Sequence, residues 1–95
     1  MVLSFDYNQA TRQAAQIEEI AREMRGLANT RMTSAIATIE TSWSGDTSSL
    51  FIRHCSETKQ QIAARAVELE SLARRIRDVA RILRDAEEAA KREME

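Results

Sequence analysis

Proline is absent from this chain, and glycine occurs only twice, at Gly26 and Gly45. A sequence so poor in backbone punctuation has nothing with which to build the many short strands and turns of an all-β or mixed domain. Aromatic residues make up 4% of the chain, so a large aromatic core is excluded as well. The single cysteine, Cys55, has no intramolecular disulfide partner, and with one histidine, His54, a closed zinc site of thiolates and imidazoles cannot be assembled. No apolar run approaches the ~20 residues that a membrane span requires, so no stable membrane insertion is expected. Neither charge dominates: 14 Lys and Arg stand against 15 Asp and Glu, a net −1, and no global field draws in nucleic acid.

What is present favours helix. Ala, Glu, Arg, Leu, Ile, Met and Gln dominate, residues that lose little side-chain freedom in a helix. With 43% hydrophobic and 31% charged residues over 95 positions, the composition is that of one folded domain. The opening Met1–Phe5 stretch is too short for the apolar region of a cleavable signal peptide and runs at once into polar Asp6, Asn8 and Gln9.

Helix one is expected over about 7–42. Asp6 can cap it, with Gln9 three residues on, and Asn8 competes for the role. Apolar or small residues then fall at Ala10, Ala14, Ile17, Ala21, Met24, Ala28, Met32, Ala35, Ile39 and Trp43, every step three or four. That is a helical period. Ile20, Leu27 and Ile36 flank this row and widen the apolar face beyond what a narrow two-helix seam requires. Gly26 lies inside it, either tolerated at the surface or marking close approach of another backbone.

Small and β-branched polar residues cluster over 41–49 around Trp43-Ser44-Gly45. An elbow is expected at 43–46, with Gly45 free to take a positive φ and Asp46 or Thr47 capping the next helix. Helix two is expected over about 47–90, with a frayed tail at 91–95 because acidic residues there oppose the helix dipole. Within it Cys55, Ile62, Leu69, Ile76, Leu83 and Ala90 repeat every seven residues; Thr58, Arg65, Leu72, Val79 and Ala86 follow three further on, and Lys59, Ala66, Ala73, Ala80 and Glu87 four further on. Such heptads suit helices packed at ~20°. A short turn makes its two helices antiparallel neighbours. The fold expected is an all-α, antiparallel two-helix hairpin whose surplus apolar width is covered by a second hairpin, giving a four-helix bundle. The residues of the hairpin or dimer seam are Ile17, Ile20, Met24, Leu27, Ile36, Ile39, Ile62, Leu69, Leu72, Ile76, Val79 and Leu83.

His54 and Cys55 are neighbours and diverge by ~100° on a helix, so they make no nucleophile–base pair. No catalytic, metal or cofactor site is expected. The arginines at 74, 75, 77, 81 and 84 read as a solvated face laced by pairs such as Glu70 with Arg74 and Arg81 with Asp85.

A hairpin of this length with Trp43-Ser44-Gly45 in its turn and Phe51 two helical turns later resembles the WXG family, the ESAT-like small proteins of type VII secretion. The resemblance spans nearly the whole chain and implies a small, non-enzymatic, virulence-associated protein. Such a protein is made in the bacterial cytoplasm and secreted without a cleavable signal peptide. It acts by helix packing as a homodimer, or as a heterodimer with a related protein, and is recognised by the secretion machinery through an elbow carrying Trp43, Gly45 and Phe51. Many members or their partners also carry a C-terminal tyrosine followed four residues later by Asp or Glu. Here the only tyrosine is Tyr7. A cytoplasmic adaptor or chaperone covering the helical targeting domain of a larger type VII effector is the alternative.

Overall fold

The computed structural model describes residues 5–94; Met1–Ser4 and Glu95, hence the start of the opening apolar stretch and the last residue of the expected tail, lie outside it. Among the described residues the chain is all helical. The first arm comprises α1 (Tyr7–Gly26), a π-helical turn (Leu27–Met32) and α2 (Thr33–Ser42), and the second arm is one helix, α3 (Asp46–Met94). The molecule is extended, 76 × 17 × 15 Å. At ~1.5 Å per residue α3 alone accounts for about 73 Å of that length, and the cross-section leaves room for only two helices side by side.

α1 starts where the sequence directs. The Gln9 backbone N–H donates to Asp6 Oδ1 at 2.9 Å, satisfying one of the donors a helix N-terminus leaves free. The first arm ends at Trp43, whose extended backbone (φ −106°, ψ 151°) stops the helix while its N–H still donates to Ile39 O at 2.8 Å. Gly45 then turns the chain with φ +99°, a conformation that costs an L side chain dearly. Its carbonyl accepts the Ser49 N–H at 3.3 Å. The residue capping α3 is therefore Gly45, in place of the expected Asp46 or Thr47; Asp46 is already helical, with its carboxylate beside the N-terminal dipole. α3 continues through 91–94, where fraying was expected. Lys91 and Arg92 occupy its last turn, favourable to the dipole, and Lys91 lies 3.6 Å from Glu87 one turn back.

The two arms touch along a seam of alanines. Ala14, Ala21 and Ala28 on the first arm and Ala66, Ala73 and Ala80 on α3 are the buried hydrophobic residues, each at most 1% exposed. Both sets repeat every seven residues. With only a Cβ between them, the helix backbones approach closely, and long side chains are pushed to the flanks.

The π-helical turn was not anticipated. A π turn holds one residue more than an α turn, so whatever follows is displaced by one position, or ~100° about the axis. Its effect shows directly: Met32 at its end and Ile36 and Ile39 in α2 are half-buried while Ala35 is exposed, so Ile36 has replaced Ala35 in the row facing α3. Gly26, immediately before the turn, is exposed, and a Cβ built on it meets nothing within 4 Å. The close backbone approach considered for it does not occur.

Candidate interaction surface

Ion pairs fix how the arms face each other. Glu18 Oε1 accepts from Arg77 Nη2 at 2.6 Å, and Arg25 grips Glu70 with two hydrogen bonds, one of 3.0 Å from Nη2 to Oε2. Both clamps lie on the same side of the alanine seam, where they line a groove with Arg22 and Arg74. The Arg77 hydrogen bond holds the Glu18 carboxyl below its ordinary value, and that of Arg25 does the same for Glu70. The intrahelical partners expected for this face are replaced. Glu70 reaches across to Arg25 in preference to Arg74, Arg81 pairs with Asp78 at 3.5 Å, and Asp85 pairs with Arg84 at 3.3 Å.

If the clamps occupy one flank, the helical period puts the larger apolar residues on the other. Counting ~100° per residue from the buried alanines, Ile17, Ile20, Met24 and Leu27 of the first arm share that opposite flank with Ile62, Leu69, Leu72, Ile76, Val79 and Leu83 of α3. Their burial agrees: Ile17, Met24, Ile62, Leu69 and Ile76 are half-buried, whereas Ile20 is 50%, Leu72 45% and Val79 53% exposed. Part of this flank is a groove of about 420 Å³ lined by Leu72, Ile76, Val79 and Leu83 with Phe5 and Ala10. By this count ten of the twelve residues expected at the seam share one flank, and Ile36 and Ile39 on α2 lie apart from it. What the reading missed is that alanines, not these residues, hold the centre of the seam. The signal was present, because Ala14, Ala21 and Ala28 match Ala66, Ala73 and Ala80 heptad for heptad.

At the other end of the molecule the elbow forms a second apolar surface. The Trp43 and Phe51 rings stack at 5.5 Å between centroids and 24° between planes. Trp43 remains 52% exposed, and Phe51 and Leu50 are exposed beside it. Gly45 joins them through its positive φ. Ile36 and Ile39 lie on α2 between the elbow and the alanine seam, half-buried towards α3.

His54 is exposed and Cys55 half-buried, one residue apart on α3. Among the described residues no group of three or more His, Cys, Asp or Glu is placed to hold a metal ion, and no helix is long and apolar enough to cross a membrane. Tyr7 lies under the Arg84 guanidinium, 4.4 Å from its ring centroid, a cation–π contact joining the two arms. Comparison with known proteins gives no match: no family model, curated protein or solved structure matches this chain.

Proposed function

We propose that this protein is a non-enzymatic helix-packing module, a two-helix antiparallel hairpin that buries its apolar flank against a second hairpin in a four-helix bundle and is exported in that form by a type VII secretion system. The observation that carries the reading is the two-sided build of the molecule. One flank is closed by ion pairs, while the other presents Ile20, Leu72 and Val79 about half exposed. This apolar flank runs along part of a molecule 76 Å long, and exposed apolar residues grouped on one face mark interaction surfaces. A second copy suits the site, since a two-fold axis sets the same apolar flank against itself; a related heterodimer partner offers the same match.

The elbow supports the export half of the proposal. A tryptophan that only plugged the end of a bundle would be buried, yet half of the Trp43 indole faces solvent, held by Phe51 in a defined pose. Secretion machinery then reads Trp43, Gly45 and Phe51 at the tip, away from the packing flank. The adaptor or chaperone reading shares the flank and differs in destination. It is favoured by the position of the only tyrosine, Tyr7, which cannot belong to a C-terminal Tyr-x-x-x-Asp/Glu export motif. The deciding experiment compares culture supernatant with cell lysate, with and without an intact type VII locus, for the parent and for Trp43→Ala. Parent protein in the supernatant only with the locus intact, together with retention of a folded Trp43→Ala variant, supports export through the elbow. Parent protein confined to the lysate favours the adaptor, and normal export of folded Trp43→Ala removes the recognition role.

A further inference from the structure

The arms do not hold together evenly along their length. The hydrogen bonds and ion pairs that join the two arms, together with the Tyr7–Arg84 contact, involve Phe5, Tyr7, Glu18 and Arg25 on one side and Glu70, Arg77, Arg84 and Glu87 on the other. Nearer the elbow the picture changes. No residue of α2 is buried, and among the described residues its hydroxyl groups bond only within its own arm. The π-helical turn divides the two regimes.

Register explains why the alanine seam stops there. The pairing that sets Glu18 against Arg77 and Arg25 against Glu70 puts Ala14, Ala21 and Ala28 opposite Ala80, Ala73 and Ala66. One heptad further, Ala35 would come opposite position 59. That residue is Lys59, half-buried, where the alanine row of α3 breaks. A four-carbon stem with an ammonium that must reach water cannot occupy a gap sized for two methyl groups. The arm answers by taking up one extra residue in the π turn. That turns Ala35 out to solvent and brings Ile36 in, while Met32, Ile39 and Lys59 are each half-buried. Thr33 Oγ1 bonds Ala28 O, five residues back, at 3.3 Å.

We propose that residues 27–32 are a one-residue register switch, held in the π form by Lys59 acting as a wedge between the arms. Two rows compete for α3: Ala35 and Ile39 in an unbroken α-helix, and Met32, Ile36 and Ile39 through the π turn. Gly26 stands immediately before the turn in ordinary helical conformation, and no neighbour packs where its Cβ would be. In the unbroken register α2 rotates by ~100° and approaches α3 more closely. Trp43, which caps its C-terminal end, turns with it, so the elbow surface depends on the register. The inference stands on the seam geometry and is independent of export.

The test needs only substitutions at 59 and single reporter thiols. In a Cys55→Ser background, Ala35→Cys and Ile36→Cys are labelled with a thiol reagent, each with Lys59, Lys59→Ala or Lys59→Met, with helicity and oligomeric mass checked throughout. With Lys59 the thiol at 35 reacts faster than the thiol at 36. Lys59→Ala removes the wedge and reverses the order, each rate moving by about tenfold or more as a site passes between exposed and seam-facing. Lys59→Met keeps the stem and keeps the parent order. On the chain carrying Lys59→Ala alone, amide hydrogen exchange across 29–40 slows as the alanine seam extends. An order at 35 and 36 that is the same with Lys59 and with Lys59→Ala, or exchange that Lys59→Ala leaves unchanged, overturns the switch; reversal by Lys59→Met overturns the wedge.

Discussion

Enlarging one seam alanine tests the packing account sharply, because the prediction is opposite to what residue size alone suggests. Ala73 is 0% exposed and comes opposite Ala21, also 0% exposed. Replacing Ala73 with leucine adds three carbons and considerable hydrophobicity, and on a loosely packed apolar seam that change would stabilise. In a seam where two backbones are separated by methyl groups the added atoms have nowhere to go, and overpacking costs typically ~1–3 kcal/mol. The Glu18–Arg77 and Arg25–Glu70 clamps lie within a turn of the substitution, so prying the helices apart lengthens both. For a domain of this size ~1 kcal/mol moves Tm by about 4–8 °C, so Ala73→Leu should lower Tm by ~4 °C at the least and by ~20 °C in the upper range. Circular dichroism at 222 nm followed against temperature reads this directly. Ala64→Leu, at an exposed position of the same helix, is the control and should leave Tm near the parent's. If Ala73→Leu melts at or above the parent temperature, the helices are not closely packed at the alanines and the seam is wrongly placed.

Gly26→Ala should raise stability by roughly 1 kcal/mol, since the glycine is helical and nothing stands where its Cβ would go; urea unfolding midpoints check it. Gly45→Ala has equally free space, but at φ +99° it should lose about 1–2 kcal/mol to backbone strain alone. Stability should also fall in acid. Glu18 and Glu70 have folded pKa values held below their ordinary 4.5 by Arg77 and Arg25, so the stability they contribute is present above that value and is lost as pH drops through the lowered ones. Because both clamps are solvent-exposed the effect should be small and salt-sensitive. A Glu18→Gln, Glu70→Gln double variant should show a flatter decline in urea midpoint between pH 5 and pH 2, and an unchanged slope would remove the clamps from the account.

The helix limits were legible in the sequence because local signals set them. Asp6 and Gln9 mark the start of the first arm, Trp43 and Gly45 the turn, and the intervals of three and four between them leave no strand alternative. Which apolar row faces the partner helix was not legible from period alone. Leu69, Leu72 and Ile76 are larger than Ala66 and Ala73 and read as the seam by hydrophobicity, whereas the structure puts the alanines between the arms and the large residues on the flank. Two rows of the same period differ only in phase, and phase is set by how closely two backbones can approach. The π turn was hidden for a related reason. Its cause lies in Lys59 of the other arm, which only the cross-arm register brings against 35 and 36. At the elbow, the sequence marked Trp43 and Gly45 as a pair; their exposure and the stacking on Phe51 depend on the helix ends and emerge only in three dimensions.

The flank carrying Ile20, Leu72 and Val79 is the proposed working surface, covered by a second two-helix chain. Sedimentation velocity on the purified protein, alongside Leu72→Asp, tests it most directly. The parent should sediment at about twice the 10.8 kDa chain mass, and one buried, unpaired carboxylate should reduce it to the single-chain mass. A parent that sediments as a 10.8 kDa monomer and unfolds cooperatively at micromolar concentration, with Leu72→Asp equally stable, would contradict it.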